Sequence, residues 1–194
     1  MNVRRAVPLA IALAAFVLTG AAHSAQLSKG TFELEPTAQF FHQSFSFSGN
    51  DAGSITNLSL LATLGYFTSP ALELIGSPVI THQSSDDPVF GTISGTSFGL
   101  LAGLRYNFEV TGNVVPFLEG AVGVEKFSGD VGGSEASFVA PEIGAGIRVM
   151  VGSAAAVNIA GVYAHVASAE GVQDLSSNNF SLSLGVSVFP GRGR

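Results

Sequence analysis

From Ser97 to Phe108 the chain alternates residue by residue. Phe98, Leu100, Ala102, Leu104, Tyr106 and Phe108 hold one parity, and Ser97, Gly99, Leu101, Gly103, Arg105 and Asn107 hold the other. Strand side chains point to opposite faces with a period of two, so the segment predicts a strand with one greasy, aromatic-ended face. Its other face is small, polar or charged. Seven more stretches repeat this design. The first sets Phe32, Leu34, Ala38 and Phe40 against Glu33, Glu35, Thr37 and Gln39, interrupted only by Pro36. The others cover 57–66, 72 to about 81, 114 to about 127, 139–149, 157–163 and 180–188.

The links between these stretches alternate in length as well. Those near 68–70, 110–113 and 151–154 are tight, whereas 43–54, 82–96, 128–136 and 167–177 are long and rich in Gly, Ser, Asp and Asn. Short turns on one side and long loops on the other are the habit of membrane barrels, with both termini on the short-turn side. Aromatic residues fall in two zones. Phe32, Tyr66, Phe67, Tyr106, Phe108 and Phe117 lie near the short-turn ends, and Phe40, Phe98, Phe127 and Tyr163 near the far ends. Two interfacial girdles are expected of such rings. The fold expected is therefore all-β, an eight-stranded antiparallel up-and-down transmembrane β-barrel with its apolar parity in lipid. A soluble carrier barrel is the rival, because it would turn that same parity inward. Parity alone does not separate the two, and the aromatic zones, the connectors and the glycine-rich polar face favour the membrane.

Composition agrees. Apolar residues make up 46% of the chain and charged residues 11%, against about 25% charged in ordinary soluble proteins. Beyond residue 25 no segment approaches the roughly 20 unbroken apolar residues of a membrane helix. Arg4 and Arg5 precede an uncharged run from Ala6 to Ala22, with small residues at Ala22, Ser24 and Ala25, the order of a secretory signal peptide. Residues 1–25 are expected to be a cleaved signal peptide and 26–194 one barrel domain. Cleavage after Ala25 leaves 169 residues with six basic and 14 acidic side chains, a net charge of −8. That balance argues against nucleic acid and against docking on an anionic surface. Without cysteine, the exported chain has no disulfides to lean on and needs the continuous ladder of a closed sheet.

Gly65-Tyr66-Phe67-Thr68-Ser69-Pro70-Ala71-Leu72-Glu73-Leu74 resembles a hairpin of small outer-membrane barrels of the outer membrane protein A and opacity-protein type. Leu104-Arg105-Tyr106-Asn107-Phe108, followed by Val115-Pro116-Phe117-Leu118-Glu119-Gly120-Ala121-Val122-Gly123-Val124, resembles the next hairpin of that group. The resemblance spans the mature chain. It implies a barrel of the bacterial outer membrane with a side-chain-filled interior, serving as envelope stabiliser, adhesin or surface antigen. The partners it implies are outer-membrane lipids and lipopolysaccharide, the barrel assembly machinery and an extracellular loop partner whose identity is open. Many members end on an aromatic residue, whereas here Phe189 is followed by Pro190-Gly191-Arg192-Gly193-Arg194.

Candidate chemistry lies on the polar parity. Arginine facing lipid at mid-membrane costs about 2–4 kcal/mol, and Arg105 and Arg148 both fall on the inward parity, with Glu33, Glu35, Glu73, Glu119, Glu125 and Glu142. Counted from the turns, Arg105 stands at the depth of Glu73 and Glu119. A buried ion-pair cluster plugging the lumen is expected, and a cation path or proton-sensitive gate is the sharper alternative, since six glutamates outnumber two arginines. His42, His82 and His165 fall near the far rim on separate strands, a pattern expected of a solvated rim more than of a metal site. His42-Gln43-Ser44 and His82-Gln83-Ser84 resemble the histidine and serine of lipid A deacylase barrels, but neither lies toward the C-terminus and no outward glutamate follows at the right distance. No catalysis, cofactor or metal is expected.

Overall fold

The computed structural model describes residues 27–47, 50–87, 91–110, 112–129, 136–168 and 176–190. The expected signal peptide lies outside them. Eight strands follow in order: β1 Phe32–Phe47, β2 Asn50–Phe67, β3 Leu72–Asp87, β4 Gly91–Asn107, β5 Val114–Gly129, β6 Ala136–Met150, β7 Ala155–Ser168 and β8 Ser176–Val188. Each pairs antiparallel with the next and β8 returns to β1, so the sheet closes in chain order. No helix among the described residues is long and apolar enough to cross a membrane. A closed sheet is the other structure that satisfies its own backbone in hydrocarbon.

The period-two pattern sets the two surfaces. Leu34, Leu60, Leu74, Leu104, Leu118, Ile143, Ile159 and Leu182 point outward and are exposed, while Glu33, Glu35, Glu73, Arg105 and Arg148 are buried inside. This removes the soluble carrier, whose apolar side would line the lumen. Near the termini, Phe32 and Tyr66 pack at 5.0 Å and Tyr106 and Phe108 meet edge-on at 5.1 Å. Phe40, Phe98, Tyr163 and Phe180 are exposed toward the far end.

Two expectations need correction. Phe67 and Phe117 belong to no girdle, because both are buried inside the barrel. Phe67 follows Tyr66 directly, and of two consecutive strand residues only one can face lipid. The described parts of 43–54 and 82–96 are also strand, whereas most of 128–136 and 167–177 lies outside the described residues. Ser84 pairs with Ser94, Ser85 with Ile93 and Asp86 with Thr92, and Thr92 Oγ1 donates to Asp86 Oδ1 at 2.6 Å. Polar composition had suggested loops, but a hairpin standing in water has the same composition and keeps its ladder. β2 has 18 residues, more than the roughly 9–11 that a tilted crossing needs. The surplus projects beyond the far interface.

Prolines leave small gaps in the wall. Pro36, Pro78 and Pro141 each keep pairing on one side, with Ala62, Leu100 and Val122. On the other side the register skips each of them, as expected for a residue without an N–H. The β1–β8 seam is the shortest contact. It runs from Leu34 opposite Val188 to Phe40 opposite Leu182, and above that level the two strands pair only with their other neighbours.

Inward glycines let the narrow cylinder close. A Cβ on Gly103 would strike the Gly120 carbonyl oxygen and come within 2.8 Å of Ala121 Cα, backbone that cannot swing aside. Gly76, by contrast, has open space around its Cβ position. Gly103→Ala is expected to lower the urea midpoint of the folded barrel in lipid, and Gly76→Ala to leave it unchanged. Equal midpoints for the two variants would show that closure does not depend on Gly103.

Candidate functional site

The candidate site is the lumen, in three layers. At the end holding the termini, Leu27, Phe67, Val115, Met150, Ala156 and Phe189 form an apolar floor. Backbone bonds tie in the flanking segments: Gly30 N–H donates to the Phe67 carbonyl at 2.8 Å, and Phe189 N–H to that of Ala154 at 2.8 Å. Phe189, expected near a non-aromatic chain end, thus closes the barrel from below.

Two arginine networks rest on this floor. The register sets Arg105 on β4 directly between Glu73 on β3 and Glu119 on β5. Its Nε donates to Glu119 Oε2 at 2.9 Å and its Nη1 to Glu35 Oε2 at 2.7 Å. Glu35 also accepts from Thr37 Oγ1 at 3.3 Å. Arg148 on β6 reaches across the lumen to β1, where its Nη2 donates to both Glu33 oxygens at 2.7 Å. Its Nη1 donates to Asn107 Oδ1 at 3.0 Å and its Nε to Asn158 Oδ1 at 3.2 Å. Asn158 donates on to Ser187 at 2.6 Å, and the Ser187 hydroxyl donates to Glu33.

Glu73 joins the networks, with Oε2 at 3.8 Å from Arg105 and 3.6 Å from Arg148. Its Oε1 finds no hydrogen-bond partner, and the missing side chain of Gly65 leaves that oxygen its room. Aromatic faces complete the guanidinium surroundings. Arg105 lies 4.8 Å from the Phe117 ring centre, and Arg148 5.7 and 5.5 Å from those of Phe67 and Phe189. A desolvated guanidinium gains from such faces and from forked carboxylates alike.

Above this plug, Leu61, Val79 and Leu101 pack together with Ala121. They floor a cavity of about 370 Å³ that opens toward the far end. The six residues Glu33, Glu35, Glu73, Arg105, Glu119 and Arg148 therefore come together, while Glu125 and Glu142 stand apart on the cavity wall. Sequence reasoning missed Asn107, Asn158, Ser187 and the phenyl floor. Their signal was present, since each falls on the inward parity near an arginine's depth.

The rim histidines do not converge. His82 is exposed with Nδ1 at 3.3 Å from Thr96 Oγ1, and His165 Nδ1 lies 2.8 Å from Asn178 Oδ1, on β3 and β7 respectively. The His42 side chain is outside the described residues. Among those described, no three ligating side chains are placed to hold a metal ion.

No curated protein sequence matches the chain. Among solved structures it is similar to Neisserial surface protein A, at 18% identity over 81% of this chain and 96% of that one, with a TM-score of 0.59. It is also similar to the outer membrane protein OprG from Pseudomonas aeruginosa, at 14% identity over 86% of this chain and 99% of that one, with a TM-score of 0.51. At these identities the likeness is one of fold. Residues 11–187 match the family model described as the outer membrane protein beta-barrel domain. With its closed eight-stranded wall, lipid-facing apolar parity and matched length, the chain belongs to the outer membrane protein beta-barrel domain family.

Proposed function

We propose that the chain serves the bacterial outer membrane as a structural and surface-interacting barrel, without catalysis, and that its recognition surface is the set of polar hairpins and connections at the far end. The observation that carries this reading is the lumen closed by the Arg105 and Arg148 networks on a phenyl floor. A narrow barrel filled this way gives up conduction and gains rigidity. Its partners in this reading are outer-membrane lipids and lipopolysaccharide, the barrel assembly machinery during insertion, and an extracellular partner at the hairpins. In this reading residues 1–25 direct export and are then removed, which the mass of the mature chain reads directly.

A cation-preferring conduit is the second reading, favoured by Glu125 and Glu142, which the arginines leave unneutralised. Single-channel recording in planar bilayers decides between them. The plugged barrel is expected to give no steady current steps. Sustained cation-selective conductance would overturn the sealed reading and install the conduit.

A further inference from the structure

The cavity above the plug has a lining with a chemical bias. Glu125 on β5 and Glu142 on β6 share one wall; Glu142 feels the like charges of Glu119 and Glu125, and it also borders a smaller void below that Glu35, Arg105 and Glu119 line. Glu125 Oε2 accepts from Ser97 Oγ at 2.9 Å. Among the described residues, no lysine, arginine or histidine lines the cavity. Asn57, on the β2 side, also lines it, and its buried Oδ1 accepts no hydrogen bond. The cup thus carries two acidic groups with no cation beside them among the described residues, and its amides and hydroxyls, Gln39, Gln83 and Ser59 among them, can turn a donor or an acceptor to a ligand. Its floor of Leu61, Val79 and Leu101 is apolar.

Those features select among ligand classes. An anion would meet two uncompensated carboxylates at short range. A bare metal ion would want more ligating groups than converge here, for no three such side chains are placed together among the described residues. A neutral apolar molecule would satisfy the floor and leave the carboxylates unanswered. An ammonium on a short apolar chain answers both, donating up to three hydrogen bonds while its chain covers the leucines and valine. At about 370 Å³, the cup lies at the small end of small-molecule sites.

We infer that this cup is a binding site for a small organic ammonium carrying an apolar segment, taken up from the far side of the membrane. The plug beneath makes it a dead end, so occupancy does not imply transport. The inference stands on the lining of the cup and not on the surface role proposed above.

The test uses the full barrel in phosphatidylcholine nanodiscs with labelled leucine and valine methyl groups, titrated with hexylammonium, hexanol and hexanoate. Hexylammonium is expected to shift the Leu61, Val79 and Leu101 methyl signals saturably, and hexanoate to leave them in place. Glu125→Gln combined with Glu142→Gln, which keeps shape and removes like-charge repulsion, is expected to raise the hexylammonium Kd about tenfold or more. No saturable shift with hexylammonium overturns the site. Shifts of equal size and affinity with hexanol or hexanoate also overturn it, by reducing the cup to an unselective apolar hollow. The wild-type comparison needs no variant, so the inference stays exposed to refutation even if the double variant fails to insert.

Discussion

Arg148→Ala is expected to remove about 3–5 kcal/mol from the unfolding free energy of the reconstituted barrel, because it leaves buried carboxylates without their nearest counter-charge. Arg148 is fully buried and makes four hydrogen bonds to Glu33, Asn107 and Asn158. Its loss leaves Glu33 with only the more distant Arg105, at 3.7 Å, as counter-charge, and it takes a donor from Asn107 and Asn158, each of which gave an oxygen to the guanidinium. The experiment is a urea titration in lipid vesicles, following the folded and unfolded bands on gels. Adding Glu33→Gln is expected to recover a large part of the loss, since the penalty lies in the unpaired charge and not in the missing contact. A drop below about 1 kcal/mol for Arg148→Ala, the range of exposed pairs, would mean that the network is hydrated and contributes little.

The second large effect lies on the other face. Ala102 is outward and sits halfway between Phe98 and Tyr106 along β4, with Gly76 and Val122 as register partners. An arginine there has steric room, so any loss measures transfer of charge into hydrocarbon. Ala102→Arg is expected to cost about 2–4 kcal/mol, and Phe108→Arg, near the interface, about 0–1. Urea midpoints in vesicles check both. Equal costs at the two depths would mean that the apolar parity does not face lipid, and the membrane reading would fall with it.

The barrel wall could be read directly from the sequence because period two leaves little freedom. Once Leu100 and Leu104 face out, Leu101, Gly103 and Arg105 must face in, and the same logic ran along all eight strands. Contacts between adjacent strands were nearly as accessible. Counting from the tight turns near 68–70 and 110–113 puts Glu73 and Arg105 at a similar depth on neighbouring strands, and the register sets them directly opposite.

Contacts across the lumen were not accessible in this way. Arg148 meets Glu33, 115 positions away, because β6 and β1 face each other through a narrow interior and arginine is long enough to span it. Nothing in a one-dimensional pattern carries that separation. Glu125 and Glu142 share parity with the plug residues, and only their greater distance from the short turns takes them out of arginine's reach. Aromatic character misled at Phe67 and Phe117, where parity outweighs a residue's taste for interfaces. Polar character misled at Ser84-Ser85-Asp86, since a ribbon in water and a loop in water are written with the same residues.

The short β1–β8 seam also gauges how deep the cylinder can sink. Above the step joining Phe40 to Leu182, the facing edges of the two strands leave peptide groups without a partner across the gap. Such groups can rest against water but not against acyl chains, where each would cost several kcal/mol. The hydrocarbon boundary must therefore pass no higher than that step. Backbone chemistry alone draws this waterline, and the rings of Phe40 and Phe180 float beside it.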